Sequence, residues 1–129
     1  MAARSMLLTF NTAAVRVARV AVAETCAAAG IEEASTDDAV LLTSEIVTNA
    51  LVHGRSEARL TVTVTRGLVR VEVSDDNSRH PRTVERDVEA LSGRGVEIVA
   101  SVASRWGVRD DLHGKTVWFE IDVAKVPGA

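Results

Sequence analysis

Hydrophobic positions along the chain fall into two periodicities, and their order predicts the architecture. Ser5 to Phe10 reads as a short edge strand, and Asn11 then stands as an N-cap to a run in which Val15, Ala18, Val22 and Cys26 recur at helical spacing. Gly30 ends that helix. A second helix is expected from Ser35 or Thr36, with Asp37 and Asp38 complementing the positive end of its dipole, through His53 to a stop at Gly54. From Ala58 the period becomes two: Leu60, Val62 and Val64 alternate with threonines, Arg66-Gly67 turns the chain, and Val69, Val71 and Val73 follow, which predicts an antiparallel hairpin. Asp75 to Leu91 is polar, carries Pro81 and lacks a period, as a long loop does. Ser92 to Ala103 predicts a third helix, then come strands over Arg105–Arg109 and Thr116–Val123 about a turn at Asp111 to Gly114, and the tail from residue 124 should fray. This order suggests one α+β domain over residues 1–129, a two-layer sandwich with the helices on one face of a mixed, largely antiparallel sheet.

Composition narrows the function classes. The 129 residues fit a single core, and 47% apolar with 26% charged residues is ordinary for a globular domain. The net charge of −3, with Arg scattered rather than clustered, argues against nucleic acid as a partner. The few aromatics, Phe10, Trp106, Trp118 and Phe119, read as core fillers. The single cysteine, Cys26, reads as a buried structural thiol in a reducing compartment. No apolar run approaches the length of a membrane span and no signal peptide is evident, so a cytoplasmic location is expected.

Four groups carry candidate chemistry. Glu45, Asn49 and His53 are spaced i, i+4 and i+8 and form one row along the second helix beside Leu42 and Ile46, so a carboxylate and an amide face partial burial. Such groups need compensation, from a bound cation with water or from hydrogen bonds to the neighbouring strands. Asp75 ends a strand whose Val69, Val71 and Val73 alternate, so counting by two places its carboxylate on the inner face, able to accept from an amino group such as adenine's; the simpler alternative is an aspartate that opens a turn. Gly93-Arg94-Gly95 starts a helix, where free N–H groups receive anions, although the same pattern serves plain turns. Gly114-Lys115-Thr116 opens the last strand with an ammonium and a hydroxyl.

Taken in order, Glu45-x-x-x-Asn49, strand-terminal Asp75, a long loop, Gly93-x-Gly95 and Gly114-x-Thr116 resemble the GHKL superfamily of histidine-kinase-like ATP-binding domains. Thr43 to Gly54, Ser92 to Val96 and Arg105-Trp106-Gly107 are particularly similar to the anti-sigma-factor serine/threonine kinases. The resemblance implies a Bergerat-type fold binding ATP and Mg²⁺. Glu45 would then be general base, Asn49 metal ligand, and Asp75 adenine recogniser. His53 would lie at the nucleotide site, Gly93, Arg94 and Gly95 would line the phosphates, and Thr116 would support the nucleotide. It further implies an anti-sigma-factor antagonist of the STAS type as phosphoacceptor, a sigma factor as a second partner, and a homodimer. The superfamily's Asp-x-Gly-x-Gly stands here as Asp75-Asp76-Asn77-Ser78-Arg79, without either glycine. The alternative reading is a partner-binding or nucleotide-sensing module of the same fold without phosphotransfer.

Overall fold

The structure, a computed structural model, describes residues 2–9, 11–53, 57–75, 93–111 and 114–123; of Val52, His53, residues 93–96 and Asp111 it describes the backbone alone. The elements are β1 (Ala2–Thr9), α1 (Ala14–Ala28), α2 (Glu33–His53), β2 (Glu57–Thr65), β3 (Leu68–Asp75), α3 (Gly93–Val102), β4 (Arg105–Asp111) and β5 (Gly114–Asp122). The expected stop at Gly54, the 76–91 loop, the centre of the β4–β5 turn and the tail from residue 124 lie outside the described residues.

The strands form one sheet in the order β1-β2-β3-β5-β4, and every neighbouring pair is antiparallel. The expected mixed sheet is thus wholly antiparallel among the described residues. A strand–helix–strand passage does run from β3 through α3 to β4, and it leaves β3 and β4 parallel. β5 inserts between them and converts both contacts to antiparallel pairs.

Sequence alternation becomes burial alternation on β2 and β3. Ala58, Leu60, Val62 and Val64 face inward, as do Val69, Val71, Val73 and Asp75. Helices cover that inner face. Ala18, Val22 and Cys26 of α1 and Ala39, Leu42, Ile46 and Val47 of α2 are fully buried against it, as is Val99 of α3. Burying side chains of this size stabilises by about 1.5–3 kcal/mol each relative to exposure. Burial also pushes the Cys26 thiol up, partly offset by a hydrogen bond with Thr36, as suits a structural role.

Two helix boundaries differ from expectation. Asn11 does not cap α1. Its Oδ1 accepts from the Ala13 N–H at 2.8 Å and its carbonyl from Ala14 at 3.1 Å, an Asx-type turn that leads into the helix from upstream. α2 begins before Ser35, because the Glu32 carbonyl already accepts from the Thr36 N–H and the Glu32 carboxylate accepts from the Ser35 hydroxyl at 2.9 Å. The end of α1 is as read: Gly30 takes φ +76°, its N–H bonds Ala27 and the Ile31 N–H bonds Cys26, so the last carbonyls are satisfied.

The outer face of the sheet is polar and ion-paired. Arg105 reaches Glu120 and Asp122, and Arg70 reaches Glu120 at 2.8 Å. Trp118 belongs to this face rather than the core, its ring 4.5 Å beneath the Arg70 guanidinium. Gly107 makes room for it, since a Cβ there would stand 2.9 Å from the indole. Phe119, on the inner face, is fully buried in the core, and Trp106, paired with it from β4, packs partly buried against the same core.

Hydrogen bonds from Arg105 and Arg70 hold the Glu120 carboxyl below its usual range, and Arg105 does the same for Asp122. Carboxylates lowered on folding contribute stability above their unfolded range, and that contribution is lost as pH falls through the folded values. The melting temperature should therefore fall as pH drops below about 4.5. Arg105→Ala should melt a few degrees lower at neutral pH and lose less on acidification. Parallel melting curves for the two proteins from neutral to about pH 3 would contradict this.

Candidate functional site

α2 sets the site's first wall. Its buried stripe passes through Leu42, Ile46 and Ala50, and Asn49 falls inside that stripe at 7% exposure, while Glu45, one turn earlier, lies half-buried at its margin. Among the described residues neither Oδ1 nor Nδ2 of Asn49 has a hydrogen-bond partner. An amide so placed costs roughly 1–3 kcal/mol. Such a group calls for a partner beyond the described residues, which water or a bound ligand can supply.

The second wall is the end of the sheet. α2 finishes at His53 and β2 begins at Glu57, so the Glu45–Asn49 half of the helix descends to the sheet end where Ala58 pairs with Asp75. Asp75 is buried on the inner face, where the period-two count puts it. The connection from α3 to β4 spans only Ala103 and Ser104, which reverses the chain and returns the start of α3 at Gly93 to the end of β4 that neighbours Lys115. The first N–H groups of that helix lack intrahelical acceptors and favour an anion. Glu45, Asn49, Asp75 and the Gly93-Arg94-Gly95 turn are thus brought to one end of the domain. The side chains of His53 and Arg94 lie outside the described residues.

Thr116 is placed differently. On β5 the inner face is taken by Lys115, Val117, Phe119 and Ile121, so Thr116 points to the outer face, where its hydroxyl meets that of Ser74 at 2.8 Å. The residue that shares the inner face with Asp75, directly across the ladder, is Lys115. The signal was available in the alternation of Val117, Phe119 and Ile121, which assigns odd positions inward.

The Asn49 amide oxygen suits a hard cation such as Mg²⁺, which binds few protein groups and completes its shell with water and phosphate oxygens. Among the described residues no group of three or more His, Cys, Asp or Glu could hold a metal by itself. The donor set and the orphaned amide therefore fit an ion that arrives with its nucleotide.

Comparison with known proteins bears on the fold and the family. The fold resembles the RsbU and RsbW domains of Rv1364c from Mycobacterium tuberculosis, with a TM-score of 0.75 at 19% identity over 98% of this chain. The chain spans 34% of that protein's length. It also resembles a chain of the SiaB-SiaC complex from Pseudomonas aeruginosa, with a TM-score of 0.65 at 11% identity, covering 92% of this chain and 88% of that one. At these identities the likeness is one of fold. A search of curated proteins finds no match. The model of the histidine kinase-like ATPase domain matches residues 8–121, from the end of β1 almost to the end of β5, and the chain belongs to that family of ATP-binding domains.

Proposed function

We propose that this domain is a Mg·ATP-dependent serine/threonine protein kinase whose substrate is an anti-sigma-factor antagonist of the STAS type. The observation that carries the reading is the buried Asn49 amide, without a hydrogen-bond partner among the described residues, one helical turn after Glu45. An amide oxygen held there offers a ligand to the cation, and the half-buried carboxylate beside it stands free of the core to take a proton. Family membership supports the ATP part, and the likeness to an RsbW domain and to a chain of a SiaB-SiaC complex supports a partner-switching context.

When bound, Mg·ATP supplies the γ-phosphoryl group with its charge already partly neutralised. This chain's residues do the rest. Asp75 would accept from the adenine amino group and the α3 start would receive phosphate oxygens on backbone N–H groups; Glu45 would accept the proton of the partner's serine hydroxyl as its oxygen bonds to the γ-phosphorus and the bond from that phosphorus to the β,γ-bridging oxygen breaks, with ADP as the leaving group. A sigma factor as a second partner and a homodimer belong to the same proposal.

The test is incubation with [γ-³²P]ATP, Mg²⁺ and a candidate antagonist, read as phosphoserine, beside calorimetry with ATP alone. Labelled serine supports the kinase. ATP binding without transfer to any antagonist that the domain captures favours instead a sequestering module, and no ATP binding with Mg²⁺ removes the nucleotide reading altogether. Asp75→Asn should weaken ADP on the order of ten- to a hundredfold, since a hydrogen bond to a charged acceptor contributes about 1.5–3 kcal/mol. Inorganic triphosphate should bind the variant and the wild type alike, and an equal loss for both ligands would count against the assignment of Asp75 to the base.

A further inference from the structure

α1 and α2 are joined by residues 29–32 and pack side by side as an antiparallel pair, with Cys26 hydrogen-bonded to Thr36 close to the turn. Counting along both helices from that contact brings Val20 level with Leu41 and Arg16 level with Glu45, to within a residue. On the side turned away from the sheet, α1 presents Arg16, Arg19 and Val20, while α2 presents Leu41 and Thr48 with Glu45 at its margin. Val20 is 48% exposed and Leu41 43%. Among the described residues Arg4, Arg70, Arg105 and Arg109 each reach a carboxylate, whereas Arg16 and Arg19 reach none. Two guanidiniums without carboxylates and two bare aliphatic side chains therefore share the surface that borders Glu45.

We infer that this surface docks the phosphoacceptor protein, and that the partner's face is acidic around its serine, with carboxylates for Arg16 and Arg19 and an apolar side chain for Leu41. The inference rests on the kinase reading above. A serine hydroxyl that gives its proton to Glu45 comes within about 3 Å of it, so the partner sits over that stretch of α2. A stable interface covers about 800 Å² of each partner, a patch roughly 30 Å across. Leu41 is one turn from Glu45, about 6 Å along the axis, and the neighbouring helix α1 is about 8–10 Å away. Both fall under a partner so placed. Covering the arginines strips water from two cations, and acidic groups set opposite them offset that cost. The aliphatic stems of the same arginines extend the apolar ground of Val20 and Leu41.

The test follows phosphoryl transfer from Mg·ATP to purified STAS-type antagonists as the antagonist concentration is varied. Arg16→Glu combined with Arg19→Glu should raise the KM for the antagonist on the order of tenfold and leave kcat within about twofold, because docking is lost and the reacting groups are untouched. The wild-type KM should climb with added salt, and that of the double variant should not. Leu41→Asp sets a like charge against the same acidic face and should raise KM in its own right, an independent check on the double variant's folding. Arg16→Lys with Arg19→Lys keeps both charges and should stay near the wild-type KM. So should Arg66→Glu, which changes charge at the opposite end of the domain. A wild-type KM in both the double variant and Leu41→Asp, a loss that falls on kcat instead, or an equal rise for Arg66→Glu overturns the docking surface and leaves the kinase reading intact. A double variant that sediments as a monomer where the wild type is a dimer, with KM unmoved, gives the face to a second copy and overturns it likewise. Transfer to no antagonist by the wild type overturns both.

Discussion

Asn49→Leu should make the protein more stable and useless to Mg·ATP. Wild-type Asn49 buries an amide whose oxygen and nitrogen both lack partners among the described residues, and it does so within a stripe otherwise made of Leu42, Ile46 and Ala50. A near-isosteric apolar side chain removes the desolvation cost of about 1–3 kcal/mol. For a domain of this size each kcal/mol moves the melting temperature by roughly 3–6 °C, so a rise of several degrees is expected. Titration with Mg·ATP should show affinity lower on the order of a hundredfold, because the oxygen proposed as the cation's ligand is gone and an apolar group stands in its place. The two effects have opposite signs, which distinguishes this position from the core residues around it. Truncation of Ile46, for example, lowers stability first and binding only as a consequence. An Asn49→Leu protein that melts lower and binds Mg·ATP as before would refute the role given to the amide.

Glu45→Ala should abolish phosphoryl transfer while leaving nucleotide affinity within a few fold. Glu45 is half-buried at the edge of the stripe, so removing it opens no large cavity and leaves α2 packed as before. A positioned general base contributes about 10²–10⁴-fold, and the loss should fall on the transfer rate. Quenched single-turnover assays with saturating ATP and antagonist separate the two quantities. Equal losses in transfer and in ATP affinity would place Glu45 in binding, and an unchanged rate would leave the carboxylate outside the reaction.

Much of this arrangement was legible in the sequence because its signals are short-range and periodic. Val69, Val71 and Val73 alternate so strictly that the inward orientation of Asp75 follows by counting, and Ala18, Val22 and Cys26 mark the buried face of α1 at helical spacing. What the sequence obscured depends on contacts between distant elements. Asn11 has the chemistry of an N-cap, yet its carboxamide closes a turn on Ala13. Trp118 looks like core by composition, but the open face of β5 offers it Arg70 from β3 and a gap above Gly107 from β4. The partner of Asp75 was hidden for the same reason: the register of β3 against β5 selects Lys115 over Thr116, and a one-residue shift would exchange them.

The insertion of β5 between β3 and β4 also determines when the site comes into being. Asp75 and Lys115 lie 40 positions apart in the chain and meet only once the last strand has entered the gap in the sheet. Until then the helix that carries Glu45 and Asn49, and the hairpin that ends in Asp75, can fold against each other with that polar rung half built. Closing that long-range pairing is the slow and entropically costly step of such a topology. A nucleotide that binds only the finished rung draws the equilibrium toward the docked strand. On the nucleotide reading proposed above, the ligand would act as a latch on the fold's final step, because a chain still lacking residues 114–122 offers it Asn49 and Asp75 without the strand that closes the sheet beside them.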